Sequence, residues 1–144
     1  MTIDSIGMTT TEIDEFLVET RHAVMGTIRA NGSPQISPVW YLYRDSKFYV
    51  GIYSNSAKCL NLSRDHRVSL CVDGVHPDAR YVAVYGTAEI VSEQSAWRDE
   101  IERVIAYRYH NTSEEAEDYL RVTSGPDAVL LIITPQKMLS QNYN

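Results

Sequence analysis

The chain has 144 residues, of which 44% are hydrophobic and 22% charged, and its formal net charge is −6. A chain of this length predicts a single domain over residues 1–144, with residues 1–10 as a flexible N-terminus. The acidic balance argues against nucleic-acid binding, which relies on clustered Lys and Arg, and no apolar stretch is long enough to cross a membrane. With no recognisable signal sequence, we expect a cytoplasmic protein that binds neither nucleic acid nor membrane.

The predicted elements begin with a short helix and three strands. The helix covers residues 11–20, has Thr10 or Thr11 as its cap and carries its apolar side chains on one face. Strands are predicted at residues 23–30, 34–43 and 47–53. Because Asn31 and Gly32 between the first two are a strong hairpin signal, we expect the three strands to form an antiparallel meander.

The middle of the chain predicts one helix and two strands, at residues 56–63, 67–73 and 80–91. The second of these strands contains Gly86, which indicates a bulge or a close approach of two backbones. Such an irregularity bends a strand and helps a sheet to curl into a barrel.

The last third of the chain predicts two helices and a closing strand. Ser92 caps the first helix, whose apolar residues recur at helical spacing and are expected to pack in the core: Trp97, Ile101, Val104, Ile105 and Tyr109. Thr112 and Glu115 form a capping box for the second helix. The apolar run at residues 128–133 predicts a buried strand that ends before Pro135.

A polar loop before the helix at residues 56–63 is the first candidate site. Ser54, Ser56 and Lys58 lie where that helix begins, and a helix start offers unpaired N–H groups and the positive end of the helix dipole. Lys58 adds a full charge, so a phosphate would fit there. The alternative is that Ser56 only caps the helix and Lys58 is a solvated surface residue.

The second candidate site is the strand that contains Pro38. Proline removes a hydrogen-bond donor from a strand, so Pro38 belongs at an edge or a bulge, where the strand can open to a ligand. Trp40 follows it, and four tyrosines crowd this strand and the next: Tyr41, Tyr43, Tyr49 and Tyr53. A buried phenol needs a hydrogen-bond partner. These rings either line a pocket or a subunit interface, or are half-buried strand aromatics.

Three arginines form a further group with Lys58 that could receive a charged ligand tail, although each of them alone is more often a surface cation: Arg64, Arg67 and Arg80. The chain lacks a GxSxG nucleophile elbow, a P-loop and a GxGxxG fingerprint. We therefore assign no catalytic residue. If the protein is an enzyme, a cofactor must supply the chemistry.

No metal site is predicted. Cys59 and Cys71 are the only cysteines, and they are not spaced as CxxC. The four histidines form no HxxxH or HxH pair. The cysteines are therefore interpreted as two buried or free thiols.

Three strings in this order carry a resemblance to a known family: residues 32–40, 58–70 and 80–89. They resemble the pyridoxamine 5′-phosphate oxidase-like superfamily and, more narrowly, its flavin- and deazaflavin-dependent oxidoreductases of group B. The likeness covers residues 12–139. It implies a mainly β fold, the split β-barrel of FMN-binding proteins, in a homodimer with two cofactor sites in the grooves between subunits.

The resemblance assigns two groups of residues to the cofactor. The first group holds the cofactor phosphate: Ser54, Ser56, Lys58 and Asn61. The second group lies along the tricyclic ring: Ser37, Pro38, Val39 and Trp40. Arg64 or Arg80 adds to the charged side of the groove, and the C-terminal tail at residues 138–143 covers the far face of the ring from the second subunit.

The resemblance also implies an activity. The protein is expected to transfer hydride between C5 of the deazaflavin coenzyme F420 and a small conjugated or electrophilic substrate, while its side chains orient the reactants and exclude water. One alternative is an FMN-dependent oxidoreductase on the same scaffold. Another is a protein that binds a flavin or deazaflavin without catalysis, because a fold does not fix a function.

Overall fold

Seven antiparallel strands and four helices make up residues 7–144, the part of the chain that this computed structural model describes. Of the predicted flexible N-terminus, residues 1–6 lie outside the described residues, whereas the amide of Met8 donates to Oγ of Ser140 and Thr9 caps the first helix. In chain order the elements are α1 (Thr10–Val18), β1 (Ala23–Ile28), β2 (Pro34–Val39), β3 (Leu42–Arg44), β4 (Lys47–Tyr53), α2 (Ala57–Arg64), β5 (Arg67–Asp73), β6 (Arg80–Val91), α3 (Ala96–Arg108), α4 (Ser113–Thr123) and β7 (Ala128–Asn142).

The seven strands form one sheet in the order β2-β1-β5-β6-β7-β4-β3. If the sheet were flat, its two edges would be about 29 Å apart. The edge strands β2 and β3 are consecutive in the chain, however, so Val39 and Leu42 can lie no more than about 11 Å apart. The sheet must therefore curl until its edges approach each other, which gives the predicted mainly β split barrel.

The helix α1 is fastened to the sheet by buried aromatic residues. Its side chains Phe16 and Leu17 are buried in the main core. The hydroxyl of Tyr41 donates to the carbonyl of Leu17 at 3.0 Å, and that of Tyr43 donates to Oδ1 of Asp14 at 2.7 Å. Burial and the contact with Asp14 raise the pKa of Tyr43 to about 12. These phenols thus find the partners that buried tyrosines require.

The predicted strand at residues 34–43 and the predicted meander are both wrong. The chain leaves one edge of the sheet at Val39 and joins the other edge at Leu42, so β2 pairs with β1 and β3 pairs with β4. Trp40 and Tyr41 make that crossing. The predicted hairpin between β1 and β2 is confirmed, and Gly32 adopts a φ of 87° in its turn.

The closing strand does not stop before Pro135 as predicted, because β7 continues to Asn142. Residues 128–129 pair with β4, residues 130–133 pair with both β4 and β6, and the residues after Ile133 pair with β6 alone. The missing N–H of Pro135 therefore interrupts no ladder with β4. The predicted irregularity at Gly86 is confirmed, since the β6–β7 register shifts there and a Cβ atom would overlap the carbonyl oxygen of Thr134.

Two helix caps differ from the prediction. Thr9 caps α1, instead of Thr10 or Thr11, and the helix ends at Val18. Ser95 caps α3, three residues after the predicted cap. A Ser or Thr near a helix start can supply the capping oxygen, so neighbouring candidates are not distinguished by local sequence.

Within residues 7–144, no helix combines the length and the apolar character that crossing a membrane requires.

Candidate functional site

A cavity of about 330 Å³ opens between the curled sheet and the helices α3 and α4. Its volume lies in the usual range for small-molecule sites. Two charged side chains, Lys58 and Glu102, line it from different elements. The other lining side chains are mainly apolar or aromatic and include Val39, Trp40, Ile52, Tyr53, Ile105, Tyr119, Leu120 and Val129.

Lys58 is the cation of this cavity. It lies in the first turn of α2, and its Nζ donates a hydrogen bond to Oγ of Ser37 on β2 at 3.3 Å. Among the ion pairs within residues 7–144, none involves Lys58. The ammonium therefore has a neutral partner that orients it and keeps its full charge for a ligand.

The start of α2 adds backbone donors beside Lys58. A helix start leaves four N–H groups without intrahelical acceptors. Here the amide of Ser56 donates to the carbonyl of Tyr53 at 3.1 Å. The amide of Cys59 donates to Oγ of Ser56 at 3.3 Å. Among the described residues, the amides of Ala57 and Lys58 therefore have no hydrogen-bond acceptor. Ser56 both caps the helix and lines the cavity, so its capping role does not exclude a contact with a ligand.

Trp40 and Tyr119 supply aromatic rings to the cavity wall, and Tyr109 and His110, which lie between α3 and α4, pack against Trp40. Trp40 stacks on Tyr109 with their ring centroids 4.9 Å apart and their planes 7° apart. Tyr119 and His110 approach the same indole, with centroids at 5.1 and 5.4 Å. The hydroxyl of Tyr109 donates to the carbonyl of Arg21 at 2.6 Å. Trp40, which has no strand partner of its own, is thus fixed in position by Tyr109, Tyr119 and His110.

The second charged group of the cavity is Glu102 on α3. Its Oε1 lies 3.4 Å from Nε of Arg98, one helical turn earlier, and Arg98 is the largest fully buried side chain in the described residues. Burial raises the pKa of Glu102, and the charge of Arg98 opposes that shift. Burial also raises the pKa of Tyr119, with a contribution from the negative charge of Glu102, so these two groups share one side of the cavity.

Three of the predicted site residues lie beside the cavity without lining it. Asn61 is buried, and its Nδ2 donates to Oγ1 of Thr27 on β1 at 3.0 Å. Arg64 donates to the carbonyl of Ile28 at 2.9 Å and to Oδ1 of Asn61 at 3.2 Å. The amide of Ser54 donates to the carbonyl of Asp127 at 2.8 Å. Asn61 and Arg64 thus tie α2 to β1 and fix the position of Lys58.

Arg80 is not brought to the cavity. Its Nε and Nη2 donate to the two carboxylate oxygens of Asp78 at 2.8 and 2.7 Å, and its guanidinium lies 5.1 Å from the ring centroid of Phe16 on α1. The predicted site residues that the structure does bring together around the cavity are Ser37, Pro38, Val39, Trp40, Ser56 and Lys58.

Several lining residues that local sequence did not indicate come from α3 and α4: Glu102, Tyr119, Leu120 and Thr123. Others lie before β1 or on β4 and β7, and include His22, Ile52 and Val129. Glu102 was not considered, and the apolar stripe of α3 was assigned to the core. A signal was present, because positions 98, 102, 105 and 109 follow one face of a helix and place Glu102 in line with Ile105. The core assignment holds for Ile101 and Ile105, whereas Trp97 is 45% exposed.

The donors and walls of the cavity fit a phosphorylated cofactor with a flat ring. Lys58, the hydroxyl of Ser37 and two free helix amides supply charge-assisted hydrogen bonds for a phosphate. The stacked wall of Trp40 and the aliphatic side chains offer the apolar surface that a tricyclic ring requires. Comparison with known families agrees, since the profile described as pyridoxamine 5′-phosphate oxidase matches residues 9–142.

The chain belongs to the pyridoxamine 5′-phosphate oxidase family. The family lies in a superfamily of flavin-binding oxidoreductases with the split-barrel fold. A conserved hypothetical protein from Mycobacterium tuberculosis is 28% identical, with a TM-score of 0.79 over 95% of this chain and 86% of that one.

Two more distant neighbours share the fold of the pyridoxamine 5′-phosphate oxidase family. An FAD-binding protein from Mesorhizobium loti is 18% identical, with a TM-score of 0.74 over 96% of this chain and 97% of that chain. A protein named F420 reductase is 19% identical, with a TM-score of 0.65 over 87% of this chain and 94% of that chain.

Proposed function

We propose that this protein binds the deazaflavin coenzyme F420 in the cavity and transfers hydride between that coenzyme and a small conjugated or electrophilic substrate. The observation that carries the proposal is the position of Lys58, an unneutralised ammonium at the edge of an apolar and aromatic cavity. A site with one phosphate-binding corner and one flat wall suits a ligand with a phosphate at one end and a planar ring at the other.

The protein's own residues bind and orient in this proposal. Lys58, with the amides at the start of α2, holds the cofactor phosphate, and Ser37 orients the ammonium. The indole of Trp40 and the side chains of Val39 and Ile105 bound the ring and exclude water, which strengthens every polar contact inside the site. The bound cofactor would supply or accept the hydride, so no protein nucleophile is required.

The choice of coenzyme F420 over FMN rests on two observations. One structural neighbour is named an F420 reductase. The exposed guanidinium of Arg64 lies in the last turn of α2, and its acceptors within residues 7–144 are neutral: the carbonyl of Ile28 and the amide oxygen of Asn61. It can attract the oligoglutamate tail of coenzyme F420, whereas FMN ends at its phosphate.

Side-by-side fluorescence titrations of the purified protein with coenzyme F420 and FMN test the proposal. Tighter binding of coenzyme F420, followed by oxidation of the reduced coenzyme in the presence of an enone or a quinone, supports it. Tighter binding of FMN moves the assignment to an FMN-dependent oxidoreductase. Binding without turnover favours a cofactor-binding protein, and binding of neither contradicts the proposal.

We also propose that the protein acts as a homodimer through the outer face of the sheet. Cross-strand partners share a face, and the register aligns five such residues across β2, β1, β5, β6 and β7: Pro38, Val24, Cys71, Ala83 and Leu139. Of these, Val24 is 43% exposed and Leu139 is 47% exposed, and Ile36 on the same face is 70% exposed. Large exposed apolar patches mark interaction surfaces.

A second copy is the occupant that this face suits best, because Pro38 belongs both to the outer face and to the lining of the cavity. A partner docked there would complete the open side of the cofactor site. Light scattering should give twice the 16.4 kDa monomer mass, and the double variant V24K/I36K should be a folded monomer with weakened cofactor binding. A monomeric wild-type protein would contradict the dimer while leaving the cofactor titration informative.

A further inference from the structure

Glu102 is a charged group of the cavity that the proposed cofactor contacts do not use. Its side chain is 15% exposed, and its Oε1 lies 3.4 Å from Nε of Arg98. Within residues 7–144, the other carboxylate oxygen, Oε2, has neither a hydrogen-bond donor nor an ion-pair partner. A half-buried carboxylate with an unused oxygen at the wall of a cavity is free to accept a hydrogen bond from a ligand.

The pairing of Glu102 with Arg98 is unfavourable as a purely structural device. The Arg98 guanidinium is almost fully buried, donates from Nη1 to the carbonyl of Ser92 at 2.8 Å, and leaves Nε without a hydrogen bond among the described residues. Replacing a buried ion pair by apolar residues of similar volume is often neutral or stabilising. What the pair achieves here is to hold the Glu102 carboxylate at the cavity wall, one helical turn from its partner.

The two charged groups that line the cavity come from different helices, and the surface around each is called here the Lys58 wall and the Glu102 wall. Lys58 projects from α2, and Glu102 projects from α3 beside Tyr119. Among the ion pairs of the described residues, Glu102 is joined to Arg98 and not to Lys58. An anionic ligand end is therefore favoured at one wall and disfavoured at the other.

We infer that Glu102 selects the substrate, by accepting a hydrogen bond from an N–H or O–H group of a neutral or cationic compound and by repelling compounds that present a carboxylate or phosphate to this wall. The inference rests on the proposed function, in which the phosphate of the cofactor occupies the Lys58 wall and leaves the Glu102 wall to the substrate. Arg98 is a positioning residue, since it acts through Glu102.

Three planar probes of the same shape test this inference on the protein without cofactor: benzamidine, which is cationic, benzamide, which is neutral, and benzoate, which is anionic. The variant W97F leaves Trp40 as the single tryptophan, so quenching of its fluorescence reports binding in the cavity. In this background, Glu102→Gln should weaken benzamidine binding by at least about tenfold, or about 1.4 kcal/mol. It should leave benzoate unchanged or bound more tightly.

Glu100→Gln is the matched control. Glu100 lies on the same helix, is exposed and pairs with Arg44 at 3.8 Å outside the cavity, so its neutralisation removes the same charge without touching the cavity wall. Benzamidine affinity in the Glu102→Gln protein within about twofold of that of the Glu100→Gln protein overturns the inference. Failure of the W97F protein to bind benzamidine saturably also overturns it.

If removal of the Glu102 charge destabilises the fold by leaving Arg98 unpaired, the double variant R98M/E102Q removes both charges and should show the same loss of benzamidine preference. If the double variant regains stability and still prefers benzamidine over benzoate as strongly as the protein with the ion pair, the pair serves the fold alone and the inference is overturned. Because the probes are measured without cofactor, this result is separate from the coenzyme titration. A protein that binds neither coenzyme F420 nor FMN could still discriminate benzamidine from benzoate.

Discussion

Two regions of the molecule concentrate basic side chains, and they use them in opposite ways. At the side of the barrel covered by α1, Arg21 and Arg80 share the carboxylate of Asp78, and Arg21 also pairs with Glu19 at 2.7 Å. Two cations thus face two anions. At the start of α2, Lys58 has one neutral partner, the hydroxyl of Ser37, at 3.3 Å.

The difference shows why a basic residue in the sequence is a poor indicator of an anion site. Arg80 and Lys58 both lie at the first residues of an element and both belong to the strings that carry the family resemblance. Asp78, two residues before Arg80, neutralises it, whereas no acidic residue in the described chain pairs with Lys58. The partner that the fold supplies, and not the charge itself, decides whether a cation is available to a ligand.

Removal of the Lys58 charge should have the largest effect, a loss of cofactor affinity. We expect Lys58→Ala to weaken binding of the phosphorylated cofactor by about 1.5 to 3 kcal/mol, the range for a hydrogen bond to a charged group, because it removes a lining cation that has no ion-pair partner among the described residues. The Tm should change little, since the Lys58 ammonium donates a single hydrogen bond within residues 7–144, the one to Ser37. Fluorescence titration and thermal unfolding measure the two quantities.

Arg80→Ala is the matched control, because it removes a cation that lies outside the cavity and is already neutralised. It should leave cofactor affinity unchanged and lower the Tm instead, as it breaks two hydrogen bonds with Asp78. Equal loss of cofactor affinity in the two variants would contradict the division between a ligand-binding region and a structural region.

Removal of the Asp78 carboxylate, which pairs with Arg21 and Arg80, should have the next largest effect. This effect is on the stability of the fold. Asp78→Asn removes the carboxylate that binds both Arg21 and Arg80, and we expect it to cost about 1 to 2 kcal/mol, because the carboxylate remains partly exposed to water. Cofactor binding should be unaffected. Thermal unfolding of the variant against wild type measures the loss.

The same cluster predicts a pH dependence. Hydrogen bonds from Arg80, opposed by burial, hold the pKa of Asp78 well below its usual range. A carboxyl whose pKa is lower in the folded state stabilises the fold above its unfolded pKa, about 3.9, and loses that contribution as the pH falls toward the folded value. The Tm difference between wild type and Asp78→Asn should therefore be constant from neutral pH down to about pH 5 and shrink below about pH 4. A difference that grows in acid would contradict this assignment.

Elements set by local chemistry could be predicted from the sequence, and elements set by sheet closure could not. The strands β5 and β6 have the predicted bounds because their alternation is local. The break at Trp40 and the continuation of β7 through Pro135 depend on which strand lies alongside, since the chain crosses between sheet edges at the first and loses only one partner, β4, at the second. The residues adjacent to Trp40 and Pro135 do not show which strand will lie alongside.

The residues of the candidate site also divide into those with a local sequence signature and those placed by long-range packing. Ser56 and Lys58 could be found because a helix start has a local signature. The contact of Lys58 with Ser37 joins positions 21 residues apart. It was not predicted, because the resemblance assigned Lys58 to the phosphate and Ser37 to the ring. Glu102 was missed because an acidic residue in a surface helix is ordinarily solvated, and only the packing of α3 against the open side of the sheet turns it toward a cavity.

The smallest expected effect is that of ionic strength on the affinity difference between coenzyme F420 and FMN. The sequence suggested that Lys58, with the three arginines 64, 67 and 80, draws in the acidic tail of coenzyme F420. In the structure, however, Arg67 is bound by Asp65 at 2.8 Å and Arg80 by Asp78 at 2.7 Å. Arg64 is the arginine of that group that forms no ion pair within residues 7–144, and its hydrogen-bond acceptors there are neutral.

The advantage of coenzyme F420 over FMN should therefore fall only modestly as the ionic strength rises from about 0.01 M to about 1 M, over which the screening length shrinks from about 30 Å to about 3 Å. A decrease of at most about fivefold is expected, because a single exposed charge pair contributes up to about 1 kcal/mol. Arg64→Gln should remove most of this salt dependence, and Arg80→Gln should leave it intact. A salt effect that persists in Arg64→Gln and disappears in Arg80→Gln would contradict this assignment. The tail would then contact Arg21 and Arg80 beneath α1, in place of their ion pairs with Asp78.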